Sequence, residues 1–223
     1  METIENLFAN GEILNGTLET LTMVFVSTLL AYLVGIPLGV ILISTEKDGL
    51  FPNKIINKIT GFIVNLGRTI PFIILLVALI PFTRAIMGTS IGVKGMIVPL
   101  TIGAIPFVAR MVETTLKEVD HGVIEAAKCM GCSNFQIIYK VYLKESLPSL
   151  IRGVSITTIM LIGYSSMSGT VGGGGLGYIA IRFGYYNFDT LTMLVILVLL
   201  ILLVEIVQII FDLISRKIDK AKK

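Results

Sequence analysis

Five long apolar runs separated by polar stretches set the pattern of the chain. They cover about residues 20–44, 59–82, 94–111, 150–170 and 190–211. At ~1.5 Å per residue, about 20 helical residues cross a ~30 Å hydrocarbon core, so each run predicts a membrane-spanning helix. The third continues as helix past the membrane through Glu113 and Lys117. In the fifth, twelve of the residues 191–204 are Leu, Ile or Val, worth roughly 4–7 kcal/mol of insertion free energy at ~0.3–0.6 kcal/mol each. Gly35, Pro37 and Gly39 predict a kink in the first span. Pro71 predicts a local break in the second, and Pro99, Gly103 and Pro106 predict bends in the third. Ahead of the first run, Ile4, Leu7, Phe8 and Gly11 recur at helical spacing among Glu2, Glu5 and Glu12. That pattern suits a short helix at the membrane surface or a frayed end. Gly172 to Gly175 and Gly177 end the fourth span. A loop then runs to Asp189, with Tyr178, Tyr185 and Tyr186 suited to a membrane interface.

Between the third and fourth spans lies a charged island, Glu125 to Pro148. Asp120 is placed to cap a helix starting near Gly122, and Gly131 is a natural stop for it. Ser133 and Gln136 stand at capping-box spacing, so a second helix starts at once and runs to the Leu147-Pro148 break. Two short capped helices with a tight turn make a rigid knob.

Composition agrees with one integral membrane domain over 1–223, all-α, with residues 112–149 as its cytoplasmic helical loop. The chain has 223 residues, is 54% apolar and lacks Trp. Net charge is +3, but its distribution carries more information. Connectors 45–58 and 112–149 and the tail hold Lys47, Lys54, Lys58, Lys117, Lys128, Lys140, Lys144, Arg216, Lys217, Lys220, Lys222 and Lys223. The opposite side has only Arg84, Lys94 and Arg182. The positive-inside rule puts the first set in the cytoplasm, the N-terminus outside and the C-terminus inside. With no Lys or Arg before Lys47, the N-terminus lacks the basic start of a signal peptide, so the first run is expected to be retained.

Several residues invite chemical readings. Arg68 within a span costs ~2.5–3.5 kcal/mol at the membrane centre, so it should face the bundle interior or snorkel to the near interface. It either ties helix ends together or stands near a permeation path. Glu205 is an isolated intramembrane acid, better suited to packing or a shallow position than to a proton relay. Cys129 and Cys132 resemble half a zinc site, but His121 is the only histidine, and inert thiols in a turn explain them. Gly172-x-Gly174-x-x-Gly177 matches a dinucleotide fingerprint only formally, since it follows an apolar helix rather than a strand. No Walker-type Gly-Lys-Ser/Thr occurs. Gly163-Tyr-Ser-Ser-Met-Ser-Gly169 surrounds one flexible thioether with small, weakly polar groups. Tyr164, Ser165, Met167 and Ser168 are therefore candidates for a path, with Met167 as plug or as plain packing.

The island resembles the EAA loop of permease subunits of bacterial ABC importers. Glu125, Ala126, Ala127 and Gly131 match that pattern, and Val141 and Leu143 fill its next two places. Lys144 stands where the family often has Pro, which bears on how the second helix ends. Further stretches resemble the methionine branch of these permeases: Arg68 to Val77, Ile80 to Arg84, Gly88 to Gly92, Ile97 to Leu100, Pro106 to Arg110 with Glu113, and Gly163 to Gly177. The resemblance implies a non-enzymatic homodimer in the bacterial inner membrane that forms the path for methionine. It implies two ATPase subunits docking on Glu125, Ala126, Ala127 and Gly131, with ATP and Mg bound by the ATPase and no cofactor in this chain. It also implies an external methionine-binding protein. Lipid is the other expected partner and nucleic acid is not one. A permease for another amino acid or small solute is the alternative. An ion-driven carrier is a more distant one, for which Arg68 and Glu205 supply too few intramembrane ligands.

Overall fold

The computed structural model describes residues 4–218. Glu2, Lys220, Lys222 and Lys223, read above as part of the acidic start and basic tail, lie outside the described residues. Among the described residues twelve α-helices follow one another: α1 Ile4–Ala9, α2 Glu12–Ser44, α3 Lys54–Thr69, α4 Phe72–Ala78, α5 Ile80–Met87 and α6 Gly92–Lys117; then α7 His121–Cys129, α8 Asn134–Ile137, α9 Leu143–Glu145, α10 Leu147–Ser168, α11 Gly175–Ile179 and α12 Thr190–Ile218. No strand occurs among the described residues.

Among the described residues four helices are long and apolar enough to cross a membrane: α2, α6, α10 with its 3-10 extension to Val171, and α12. A fifth span arises only if α3 and α4 are counted together, bent strongly at their break. The local break expected at Pro71 is thus a full separation into two helices. Pro71 has no N–H to give the preceding turn, and it disfavours helical geometry at Ile70. Pro71 accordingly sits outside both helices at φ −59, ψ 129. The connector before α3 is also shorter than expected. Asn53 accepts hydrogen bonds from Ile55 N at 3.1 Å and Ile56 N at 3.0 Å, starting the helix at Lys54.

The helix α2 runs without a break through Pro37, where the sequence predicts a kink. Its glycines serve packing. A Cβ added at Gly35 would lie 2.5 Å from Val108 Cγ1, and one at Gly39 would lie 2.6 Å from Val112 Cβ. Small residues four apart let two helix backbones approach closely where no hydrophobic drive exists between spans. The expected loop over 172–189 is largely helical: α11 is followed by a π-helical stretch Ala180–Tyr186.

By internal contacts the chain forms two compact units. One comprises residues 1–30, 70–104 and 157–209. Its core gathers Leu7, Ile13, Leu176, Ile179, Phe183 and Ile196, so the short helix α1 is packed through Leu7 rather than frayed. In this unit α12 begins at a side-chain cap. Asp189 accepts from Leu191 N, Thr192 N and the Thr192 hydroxyl, and the Thr192 hydroxyl bond holds its carboxyl below the usual carboxylate value. Much of α12 presents exposed apolar side chains, among them Leu194, Leu197, Ile201 and Ile206, a surface matched to hydrocarbon. The second unit comprises residues 31–69, 105–156 and 210–223. It buries Leu42, Val64 and Ala109 against Leu38, and it holds the whole polar island.

Candidate coupling site

The island folds as its caps dictate. Asp120 accepts from Gly122 N at 2.6 Å and opens α7. At the other end Cys132 N bonds Ala127 O at 3.1 Å and Gly131 N bonds Lys128 O at 3.0 Å, with Gly131 at φ +76. These are the paired bonds of a Schellman turn, which satisfies carbonyls the ending helix would leave bare. Ser133 then completes the reciprocal box: Gln136 N donates to the Ser133 hydroxyl and Ser133 N donates to the Gln136 side chain. The second helix proceeds through α8, a widened π-helical turn Ile138–Tyr142 and α9. Nothing in the sequence signals that widening.

Lys144 lies exposed in α9, so the missing Pro does not end the helix there. The interruption falls at Ser146, and α10 starts with Leu147 and Pro148 in its first turn. Pro is tolerated there because first-turn amides have no partner in the helix. The expected break therefore lies one residue earlier, and Pro148 falls in the first turn of the next helix.

The knob is tied down on its inner side. Ile124, Ala127, Ile137 and Tyr142 are buried. Burial, with a smaller contribution from the Glu46 charge, pushes the Tyr142 phenol above its ordinary value. Ser146 donates to Thr115 O at 3.4 Å and Asn134 Nδ2 donates to Leu50 O at 2.8 Å. The rings of Phe51 and Phe135 meet at 5.6 Å.

The structure thus separates the four docking candidates. Glu125, Ala126 and Gly131 are exposed, while Ala127 is an inner packing residue. Their exposed neighbours Met130, Phe135 and Tyr139, each at least 75% accessible, form an apolar outer surface that sequence reasoning did not pick out. Part of the signal was available: Phe135 and Tyr139 are four apart, on the side of a capped helix that faces away from Ile137.

A charge ladder stands beside the knob. Arg110 pairs with Glu113 at 2.7 Å, Lys117 pairs with Glu113 at 2.9 Å, and Lys117 also reaches Glu46. Glu113 is buried at 3% accessibility, so its charge is compensated twice, as burial of a carboxylate requires.

The path candidates fall in the other unit. Tyr164 is half-buried and stacks on Phe72, with ring centroids 4.2 Å apart and planes within 5°. Ser165 and Ser168 are buried, and their hydroxyls donate to Ile162 O and Ser165 O of their own helix. Met167 is about half exposed at 48%. Gly163, one turn before it, is also exposed. Of the four candidates, Met167 is the one that is exposed.

In the same unit Glu19 accepts from Gly175 N at 2.7 Å and Thr20 accepts from Leu176 N at 2.9 Å. Two of the first amides that a phosphate would need in the glycine run are therefore taken by side chains of α2. Gly169 and Gly177 serve close approach, since a Cβ on Gly177 would lie 2.5 Å from Ser166 Cα. Arg68 is exposed in the last turn of α3 and makes no hydrogen bond or ion pair among the described residues. It does not tie helix ends together. Glu205 is likewise exposed. Both cysteines are free thiols.

Comparison with known proteins agrees with this architecture along the whole chain. A family model described as binding-protein-dependent transport system inner membrane component matches residues 35–220. A relative from Vibrio cholerae, named as a probable D-methionine transport system permease protein, is 50% identical over 97% of each chain. The D-methionine transport system permease protein of Escherichia coli strain K12 is 50% identical over 70% of this chain and 72% of its own. Among solved structures, a chain of the MetNI methionine ABC transporter in an inward-facing conformation has a TM-score of 0.94 at 45% identity, covering 98% of this chain and 100% of that one. An amino acid ABC transporter shares the fold at TM-score 0.78 and 16% identity. The chain belongs to the family of binding-protein-dependent transport system inner membrane components.

Proposed function

We propose that this chain is the permease subunit of an ATP-driven methionine importer of the bacterial inner membrane, and that residues 1–223 act as one transmembrane domain with the coupling loop at 112–149. The observation that carries the reading is the 50% identity over 97% of both chains to a relative named for D-methionine transport. The polar island built as a capped two-helix knob supports it. Two copies form the translocation path, and two ATPase subunits bind ATP and Mg and do the hydrolysis. An external methionine-binding protein delivers the substrate. The N-terminus lies outside and the C-terminus in the cytoplasm, as the distribution of Lys and Arg argues.

Docking falls to Glu125, Ala126 and Gly131 on the exposed side of the knob, with Ala127 setting the depth of α7. A capped helix pair transmits displacement because its caps leave few soft torsions between the two helices. In the path, Met167 supplies the movable side chain, while Tyr164, Ser165 and Ser168 hold its helix in place.

The test is reconstitution of the chain with its candidate ATPase in vesicles, with and without the binding protein. Uptake of labelled methionine that requires both ATP and the binding protein is expected. Unlabelled methionine should compete better than other amino acids. Uptake that persists without the ATPase would overturn the reading in favour of an ion-driven carrier.

A further inference from the structure

Helix α3 carries a feature that its place in a span does not explain. Lys54, Lys58, Gly61, Asn65 and Arg68 recur at steps of four and three, placing them within about 80° of one another around the helix. Lys54, Lys58, Asn65 and Arg68 are all exposed. The packed side of the helix is elsewhere, at Val64, and a third side shows the exposed Ile55, Ile59, Phe62 and Leu66. The third side suits lipid. The polar side does not, because one charged group at membrane depth costs ~2.5–3.5 kcal/mol. It must face water or protein.

Within the same compact unit, that polar side borders an open cleft of about 690 Å³, walled by Lys58, Asn65, Arg110, Glu113, Lys117 and Glu46 among others. Lys58 and Asn65 make no hydrogen bond or ion pair among the described residues. Arg110 spends one terminal nitrogen on Glu113, which leaves further donors of its planar fork unused. Unused cationic and amide donors converge here, while Glu46 keeps a 38% exposed carboxylate at the other end. Three cations and two carboxylates in one cleft match a zwitterion. An anionic lipid phosphate would meet both carboxylates and is disfavoured.

Resting on the importer reading above, we infer that this cleft is a holding site for the amino-acid substrate on its route, with Lys58, Asn65 and Arg110 taking the α-carboxylate and Glu46 the ammonium. The side chains of Lys58 and Asn65 are exposed and make no hydrogen bond or ion pair among the described residues, so replacing them tests the site with little effect on packing.

The experiment uses the complete transporter in vesicles with its ATPase and binding protein. Lys58→Gln is expected to lower methionine uptake per ATP hydrolysed on the order of tenfold, the scale of one charge-assisted hydrogen bond. Lys58→Arg should restore it. At the second position uptake should fall in the order Asn65→Lys, Asn65→Ala, Asn65→Asp, following the sign of the charge. A series indifferent to charge sign, or a Lys58→Gln variant equal to wild type, overturns the inference. So does a Lys58→Gln loss that appears in anionic phospholipid vesicles and vanishes in neutral ones, which would mark a lipid site. A wild-type transporter that takes up no methionine refutes instead the importer reading on which the site rests.

Discussion

Gly131 offers the sharpest perturbation of the knob, because its environment isolates one physical effect. It sits at φ +76, and a Cβ built there meets nothing within 4 Å. Substitution by Ala therefore introduces no clash, only the cost of holding an L-residue in the left-handed region, about 1–2 kcal/mol. At 1.4 kcal/mol per factor of ten, the turn that bonds Cys132 N to Ala127 O becomes about five- to thirtyfold less populated relative to its alternatives. Asn tolerates this geometry better than Ala, so Gly131→Asn should lose less. Leu carries the same backbone penalty as Ala. Any further loss in Gly131→Leu then measures how closely a partner surface approaches Gly131, since the isolated chain leaves that space open. The assay is the ratio of ATP hydrolysed to methionine taken up in reconstituted vesicles, with membrane insertion checked by the amount of folded protein recovered. The expected ratio rises from wild type to Asn to Ala to Leu, while recovery is unchanged. Equal ratios for all four proteins at equal recovery would refute both the mechanical role of the turn and the reasoning that links its geometry to coupling.

Two further outcomes follow from packing and titration. Gly39→Val places side-chain atoms where Val112 already stands, at 2.6 Å from the added Cβ. Overpacking of this kind costs about 1–3 kcal/mol, so a lowered unfolding temperature in detergent is expected, and an unchanged one would show that α2 and α6 can separate at no cost. Asp189 has a carboxyl held below 3.8, chiefly by the Thr192 hydroxyl. A depressed acid stabilises the folded state above its ordinary value and loses that contribution as pH falls from 3.8 through the lower folded value. Thermal stability should therefore fall in that acid window, and less so in Asp189→Asn. Identical acid profiles for the two proteins would contradict the assignment of the cap.

What the sequence made legible was whatever is encoded locally. The Asp120 cap, the Gly131 stop and the Ser133–Gln136 box are each decided within three or four residues, and the chain adopts all of them. Apolar length marked five spans for the same reason, and among the described residues four are single long helices and the fifth is the bent pair α3 and α4. The misreadings came where meaning depends on what another segment places opposite. Gly35 and Gly39 carry a packing role that shows only when Val108 and Val112 are seen against them. Gly172 to Gly177 looks like loop, or even a phosphate cradle, until Glu19 and Thr20 fill its amides from more than 150 residues away. Arg68 looks like a helix tie until its side chain is found exposed on a polar face. Pro71 was read as local, but it ends one helix and starts another.

The knob's attachments also explain why a displacement there would not dissipate in the chain itself. Only Glu118, Val119 and Asp120 separate α6 from α7, too few residues to act as a slack linker. Lys117 at the end of α6 is held to Glu46 of the 45–53 connector and to Glu113, which also holds Arg110. The same connector accepts Asn134 from the second knob helix through Leu50 O, and Phe51 packs on Phe135. Both helices of the knob are thus braced, one by continuity with α6 and one by the connector, and the ladder joins the two braces. A push on Glu125 or Gly131 must move α6 or break a buried, doubly paired Glu113. Breaking such a pair by removing one partner costs about 3–5 kcal/mol, more than the ~1–2 kcal/mol by which an L-residue at Gly131 would weaken the turn. Under the proposed function α6 therefore moves with the knob as long as the glycine turn holds.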